Sequence, residues 1–206
     1  MQECDLNHSW SVQKEGSVSI RITDLPDDAM LRENRAPKAK AGSGGAFFDG
    51  GKYTYRKEWQ VSKEFCQKTL LLEFEGVYQK AVVFLNGEKI AEHPYGYTGF
   101  SADATGRVRE GKNELTVIAD NSAVPNTRWY SGSGIYREVH LYVGGNEYIA
   151  PGSPRITVLD EERIRIQTSG KIDAGSHVRV RILSEDSCIC EGEGTDVILQ
   201  IPDARH

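Results

Sequence analysis

The chain has 206 residues, 38% of them hydrophobic and 27% charged, with a formal net charge of −5. That balance suits a globular chain of one or two domains rather than a disordered one. It argues against a nucleic-acid surface, which needs a basic patch, and no run of roughly 18 apolar residues offers a membrane span.

The opening Met1-Gln2-Glu3-Cys4-Asp5 lacks the basic and then apolar pattern of a secretory leader. Leu6, Trp10 and Val12 are spaced for a first strand. Over residues 17–22, Val18, Ile20 and Ile22 alternate with polar partners, which predicts a half-buried strand. Residues 24–40 are charged and irregular, broken by Pro26 and Pro37, and read as a long loop. Ala41-Gly42-Ser43-Gly44-Gly45 has the glycines of a phosphate cradle but not the helix N-terminus such a cradle needs behind it. The strand-like residues 53–61 follow instead, so a surface loop is the reading.

Residues 68–74 form a further apolar strand. Residues 81–85 are a continuous apolar run, as expected of a strand covered on both faces. Asn86-Gly87 directly after it is a strong hairpin signal, with residues 88–91 as the return strand. His93-Pro94-Tyr95-Gly96-Tyr97 makes an aromatic loop. Gly106 and Gly111 mark turns in a charged stretch, and residues 115–119 form a strand that runs into Asp120-Asn121-Ser122.

The loop from Asn121 delivers Arg128-Trp129-Tyr130-Ser131-Gly132-Ser133-Gly134-Ile135-Tyr136-Arg137. Gly132 and Gly134 permit a backbone that a Cβ would forbid, so the chain turns sharply. Trp129 and Tyr130 bring large apolar bodies with one polar handle each into that corner. Beyond it Ile135, Arg137, Val139 and Leu141 alternate with Tyr136, Glu138 and His140, which predicts a strand starting at Ile135. After Gly144-Gly145-Asn146 come four short strands, over residues 156–158, 164–166, 178–182 and 197–199. Short strands at roughly 8–12-residue spacing, without a helical period, argue for β-sandwich architecture.

Cys4, Cys66, Cys188 and Cys190 are too sparse for a disulfide framework, so free thiols and a cytoplasmic location are expected. Cys188 and Cys190 share a strand face, which suits small buried or half-buried residues. His8, His93, His140, His177 and His206 have no ligand-like spacing, so no metal site and no cofactor are expected. Ser131 and Ser133 do not form a Gly-x-Ser-x-Gly elbow and are expected to hydrogen-bond the turn.

The corner segment resembles the Trp-Tyr-x-Gly-Ser-Gly-Ile-Tyr-Arg-x-Val signature of the N-terminal sugar-binding domain of glycoside hydrolase family 2, the β-galactosidase and β-glucuronidase family. Leu25-Pro26-Asp27-Asp28-Ala29 is similar to that family's Leu-Pro-His-Asp segment, with Asp27 where His is usual. Tyr55-Arg56-Lys57 before Trp59, Phe84-Leu85-Asn86-Gly87, Gly96-Tyr97-Thr98-Gly99-Phe100 and Gly111-Lys112-Asn113 fall in the family's order, so the resemblance covers about residues 6–143.

The resemblance implies an all-β chain: a jelly-roll, galactose-binding-domain-like sandwich over residues 1–143, then an immunoglobulin-like sandwich over residues 144–206. The latter has about 60 residues where a complete one takes ~100, so it reads as incomplete. The family's chemistry is retaining hydrolysis of terminal β-linked sugars by two glutamates on a (β/α)₈ barrel. A barrel takes ~250 residues of βα alternation, which this chain lacks, so hydrolysis by the chain alone is not expected. The implied partners are a carbohydrate, the protein's own barrel and further copies of the chain, with no nucleic acid and no membrane.

The substrate-binding candidates carried over are Arg128, Asp28, Asn121, Trp129 and Tyr130. Arg128 stands nine residues before Arg137, where the family often has an Asp that reaches the substrate. An Arg there could fork onto a carboxylate or several hydroxyls, which points away from simple β-galactoside specificity; a surface salt bridge is the alternative. Asp28 matches the family carboxylate or else caps a turn. Asn121 reads equally as a turn residue, and Trp129 and Tyr130 as corner residues or a sugar platform. Arg137 is expected to pair with a carboxylate inside the fold. Two rival readings are a stand-alone carbohydrate-binding module, which would bind sugar unaided, and a β-sandwich adhesion or scaffold protein.

Overall fold

The computed structural model describes residues 1–123, 125–185 and 187–201; Val124, Asp186 and residues 202–206, His206 among them, lie outside the described residues. The chain divides into two units, Gln2–Val143 and a second from Gly144 onward.

The first unit is built from strands β1 (Gln2–Asp5), β2 (Trp10–Lys14), β3 (Arg21–Thr23), β4 (Gly51–Val61), β5 (Thr69–Phe74), β6 (Ala81–Leu85), β7 (Glu88–His93), β8 (Phe100–Asp103), β9 (Gly111–Asn121) and β10 (Val139–Gly144). They make a six-stranded antiparallel sheet in the order β3-β2-β4-β9-β6-β7 and a four-stranded sheet in the order β1-β10-β5-β8. The spine is the β4–β9 pair, in register from Gly51↔Asn121 to Val61↔Gly111. Tyr53, Tyr55, Trp59 and Val61 on β4, and Leu115, Val117 and Ala119 on β9, lie on the buried face at the strand period of two. They pack with Trp10, Leu70, Leu72, Phe74, Ile135 and Leu141 into one core. Asn86 (φ 52°) and Gly87 (φ 84°) form the β6–β7 hairpin turn with the two positive φ values that its sequence demands.

Three sequence expectations fail here for identifiable reasons. Residues 17–20 are not a strand, and β3 holds only Arg21–Thr23. Val18, Ile20 and Ile22 are 96%, 61% and 69% exposed, so the alternating apolar face has no layer above it. Local bonds, Ser17 N–H to the Lys14 carbonyl and Ser19 N–H to the Ser17 hydroxyl, take the backbone donors a ladder would use. The run 81–85 is not covered on both faces: Ala81, Val83 and Leu85 are buried while Val82 and Phe84 face outward, half-buried. The strand expected from Ile135 starts at Val139 instead. Gly134 exchanges both backbone bonds with Tyr78 at 2.9 Å, and the Ile135 carbonyl accepts from Asp27 N–H at 2.8 Å, so loop partners replace the ladder.

The second unit holds β11 (Tyr148–Ile149), β12 (Arg155–Val158), β13 (Arg163–Gln167), β14 (Gly170–Lys171), β15 (Arg179–Ser184), β16 (Ser187–Glu193) and β17 (Asp196–Gln200). Sheet β12-β13-β17 buries Ile166, Val197 and Leu199 against half-buried Val180, Ile182 and Cys190 of the β15–β16 hairpin. Register puts Ile156 and Val158 of β12 on the same face as Ile166 and Ile164, yet they are 62% and 74% exposed. At roughly 1.5–3 kcal/mol per buried side chain, three such residues offset the ordering of only a few residues, each costing about 1–2 kcal/mol in backbone entropy. All four cysteines are free, and Cys188 is exposed rather than half-buried, while Cys190 packs against the small cluster of Ile166, Val197 and Leu199. Among the described residues no helix is long and apolar enough to cross a membrane.

Candidate functional site

The corner at residues 128–137 is fixed from behind by one carboxylate and an amide. Asp28 accepts from the Met30 and Ser133 N–H groups, each at 3.0 Å, and from the Tyr130 hydroxyl at 2.6 Å. It therefore caps the 3₁₀ turn Ala29–Arg32 and clamps a corner more than 100 positions away with one side chain. Asn121, 1% exposed at the end of β9, donates to the Ser133 hydroxyl at 2.7 Å and the Gly132 carbonyl at 3.1 Å. Its oxygen accepts from Asn126 at 2.6 Å and Gln79 at 3.4 Å, so the amide is fully committed inside the fold. Ser133 bonds the corner, as expected of it, and is buried.

Beside these lies a group that sequence reasoning did not pick out. Asp27, 4% exposed, accepts from Arg21 at 3.0 and 2.8 Å, from the Tyr55 hydroxyl at 2.7 Å and from the Thr23 hydroxyl at 3.2 Å. The only signal was Asp in a place where the family usually has His, which by itself does not name a partner.

Burial, reinforced by an adjacent carboxylate, holds three phenols well above the usual tyrosine range: Tyr55 beside Asp27, Tyr53 beside Glu33 and Tyr130 beside Asp28. Unfolded tyrosines ionise near pH 10, so above that pH the native state binds more protons than the unfolded one and stability falls. For Tyr55 the slope approaches about 1.4 kcal/mol per pH unit, while below pH ~10 its contribution is constant. An alkaline titration followed by near-ultraviolet tyrosinate absorbance should show these phenols ionising only in one cooperative step with loss of the strand signal. A smooth titration of every tyrosine near pH 10 in a folded chain would contradict this packing.

The outer side of the corner is open. Arg128 and Trp129 are exposed, Trp129 at 59%, which places it outside the core. The Trp129 indole N–H donates to the Tyr97 hydroxyl at 2.9 Å, and Tyr97 stands edge-on to Tyr78 and Tyr95 at 5.2 and 5.6 Å. Tyr78, Gln79, Tyr95 and Tyr97 face residues 126–129 across a cleft of about 560 Å³ in which, among the described residues, Arg128 is the only charged one in the lining. Among the described residues Arg128 forms no ion pair, unlike the surface pairs Arg107–Glu88 or Arg163–Asp160. Arg137 corrects another expectation: it is exposed, makes no ion pair among the described residues, and lies 5.7 Å over the Tyr136 ring. Its neighbour's hydroxyl anchors to the Gly96 carbonyl at 2.7 Å and leaves Arg137 facing solvent. No group of three or more His, Cys, Asp or Glu residues among those described is placed to hold a metal ion.

Residues 46–144, which run from before β4 through the corner to the end of β10, match the family described as glycosyl hydrolases family 2, sugar binding domain. The chain carries that domain. The family 2 domain is accompanied by similarity beyond its own bounds: the β-galactosidase BoGH2A of Bacteroides ovatus is 34% identical over 182 residues, covering 86% of this chain and 21% of that protein. A β-glucuronidase of Bacteroides fragilis is 28% identical over 98% of this chain and 32% of its own length. A solved β-glycosidase from Bacteroides vulgatus superposes with a TM-score of 0.81 over 98% of this chain and 30% of that one, at 22% identity, which speaks to the fold alone. The chain thus spans about a fifth to a third of the length of these relatives. The five candidate residues, four of them within residues 46–144 and Asp28 ahead of them, fall into two sets. Asp28, Asn121 and Tyr130 are bonded within the corner, and Arg128 and Trp129 stand on its open side.

Proposed function

We propose that this chain is the non-catalytic N-terminal portion of a family 2 glycoside hydrolase that cleaves terminal β-linked sugars with retention of configuration. In this reading the sandwich braces a catalytic barrel encoded farther along the protein. Arg128 and Trp129 meet the sugar at the rim of its pocket, and Asp28, Asn121 and Tyr130 hold the loop that presents them. The carrying observation is that corner: rigid behind, where Asp28 makes three bonds, and open in front, where the Arg128 guanidinium forms no ion pair among the described residues. The relatives named for β-galactosidase and β-glucuronidase activity are three to five times longer, which leaves room in them for a barrel of ~250 residues. Self-association through unpaired strand edges such as β12, and residence in the cytoplasm, belong to the same proposal.

The test is direct. The purified 206-residue chain should not hydrolyse nitrophenyl β-galactoside or β-glucuronide above a blank, and the protein continued through its full reading frame should. In that longer protein Arg128→Ala should lower kcat/KM about tenfold or more, as loss of a charge-assisted contact does, with little change in the unfolding midpoint. Turnover by the short chain itself would overturn the reading.

A further inference from the structure

We propose that residues 17–23, which end in β3, pair antiparallel with the same stretch of a second copy of this chain about a two-fold axis at Ile20. The contact joins two six-stranded sheets edge to edge. Resting on the self-association already proposed for the chain, it gives that association a strand, a register and a symmetry.

Among the described residues the first unit has four sheet edges, β3 and β7 on the larger sheet and β1 and β8 on the smaller. Charged side chains guard such edges against pairing with a copy. β7 carries exposed Glu88, Lys89 and Glu92, β1 carries exposed Glu3 and Asp5, and β8 ends on exposed Asp103. β3 has no such guard. Residues 17–23, Ser-Val-Ser-Ile-Arg-Ile-Thr, hold the single charge of Arg21, and Asp27 of the same chain answers it at 2.8 Å. Neither proline nor glycine interrupts them.

The stretch has the pattern of a strand and only part of its ladder. Val18, Ile20 and Ile22 are 96%, 61% and 69% exposed, and Ile22 stands opposite Ser11 on the outward side of β2. The Ser17 and Ser19 N–H groups are satisfied locally, by the Lys14 carbonyl and the Ser17 hydroxyl. The Val18 and Ile20 N–H groups have no partner among the described residues. Alternate residues of an extended chain offer their backbone groups to the same side, so these free donors belong to one edge.

Charge and shape both match a second copy. Antiparallel pairing centred on Ile20 sets Ile20 against Ile20, Val18 against Ile22 and Arg21 against Ser19. β-Branched side chains then meet across the seam on one face, which is the favourable cross-strand pairing. Each guanidinium meets a hydroxyl, and no like charges are opposed. Moving the centre to residue 21 would set Arg21 against Arg21, and moving it by half that step would put apolar residues opposite polar ones, so the register is specified. A two-fold axis is the commonest symmetry of such a contact.

Sedimentation of the 206-residue chain over a range of concentrations should show a monomer–dimer equilibrium. Ile20→Lys brings two ammonium groups together at the axis and should raise the dimer dissociation constant about tenfold or more. Its unfolding midpoint, compared where both proteins are monomeric, should not change, since Ile20 lies outside the core. Ile156→Lys, on the exposed edge of the second unit, should leave the dimer intact. Ile20→Cys treated with a short bismaleimide should yield a peptide crosslinked from residue 20 to residue 20. Mixed Val18→Cys and Ile22→Cys chains should yield the 18-to-22 peptide that neither gives alone. A chain that stays monomeric, a dimer that survives Ile20→Lys or is lost with Ile156→Lys, or crosslinks from residue 20 to other sites would each overturn the proposal. So would a longer protein that is monomeric yet protects the residue 17–23 amides from exchange, since its own later residues would then hold this edge. No hydrolysis is measured, so this test and the turnover test of the parent enzyme can fail independently.

Discussion

Gly134→Ala is expected to destabilise the first unit by about 3–5 kcal/mol, a loss set by collision and backbone strain together. Gly134 has φ +112°, a conformation that L side chains rarely adopt, and a Cβ there would lie 2.1 Å from the Tyr55 hydroxyl oxygen and 2.9 Å from its ring carbon. Tyr55 cannot swing away: it is fully buried and donates to Asp27 at 2.7 Å. Gly134 cannot shift either, because its N–H and carbonyl both bond Tyr78. At ~2–4 °C per kcal/mol for a chain of this size, the unfolding midpoint should fall by about 10 °C, followed by circular dichroism or calorimetry. Gly106→Ala is the control, with φ +69° and nothing within 4 Å of the added Cβ. Its loss should stay near ~1 kcal/mol, the backbone part alone. If the two variants melted together, the corner could not be packed as described.

That control separates what a sequence can show from what it cannot. The need for glycine at the corner was legible, since two glycines one residue apart have few other reasons to occur. The obstacle, a phenol from residue 55, was not, because nothing local links the two positions. The same division runs through the chain. Asn86-Gly87 gave the β6–β7 hairpin, and the apolar stretches 53–61 and 115–119 gave the places of β4 and β9, because both are local properties. Val18, Ile20 and Ile22 carried an equally regular pattern and it failed. Alternation states which side chains share a face, not whether a second layer covers it. The site followed suit. Asp28 was legible as a cap, but its bond to Tyr130 spans the sequence and only the fold supplies it. Tyr95 and Tyr97 read as an aromatic loop of no stated purpose until their contact with Trp129 turned three separate rings into one surface. Arg137 looked like the motif's internal ion-pair partner, whereas the arginine pairing inside the fold is Arg21, which no motif marks.

Asp27→Ala should produce the second large loss, about 3–4 kcal/mol, because removing one member of a buried ionic group strands the others. Arg21 would keep a charge that is only one-third exposed, and the Tyr55 hydroxyl would lose its acceptor in a fully buried position. A double-mutant cycle with Arg21→Leu isolates the interaction. Arg21→Leu added to Asp27→Ala should recover about 1–2 kcal/mol, since the unpaired cation leaves with its partner, whereas independent sites would add to within ~0.5 kcal/mol. Strict additivity would show that the Arg21–Asp27 contact contributes nothing. The loss should also reach the open side of the corner. The backbone of this segment is stitched to the corner through Asp27 N–H to the Ile135 carbonyl and Ala29 N–H to the Ser133 carbonyl, both at 2.8 Å. Loosening Asp27 therefore frees the segment that Asp28 uses to grip Ser133 and Tyr130, and with it the loop that carries Arg128 and Trp129. Asp27→Ala should weaken saccharide binding at a residue that lines no part of the cleft, while Gly106→Ala, far from this bonding pattern, should leave it unchanged.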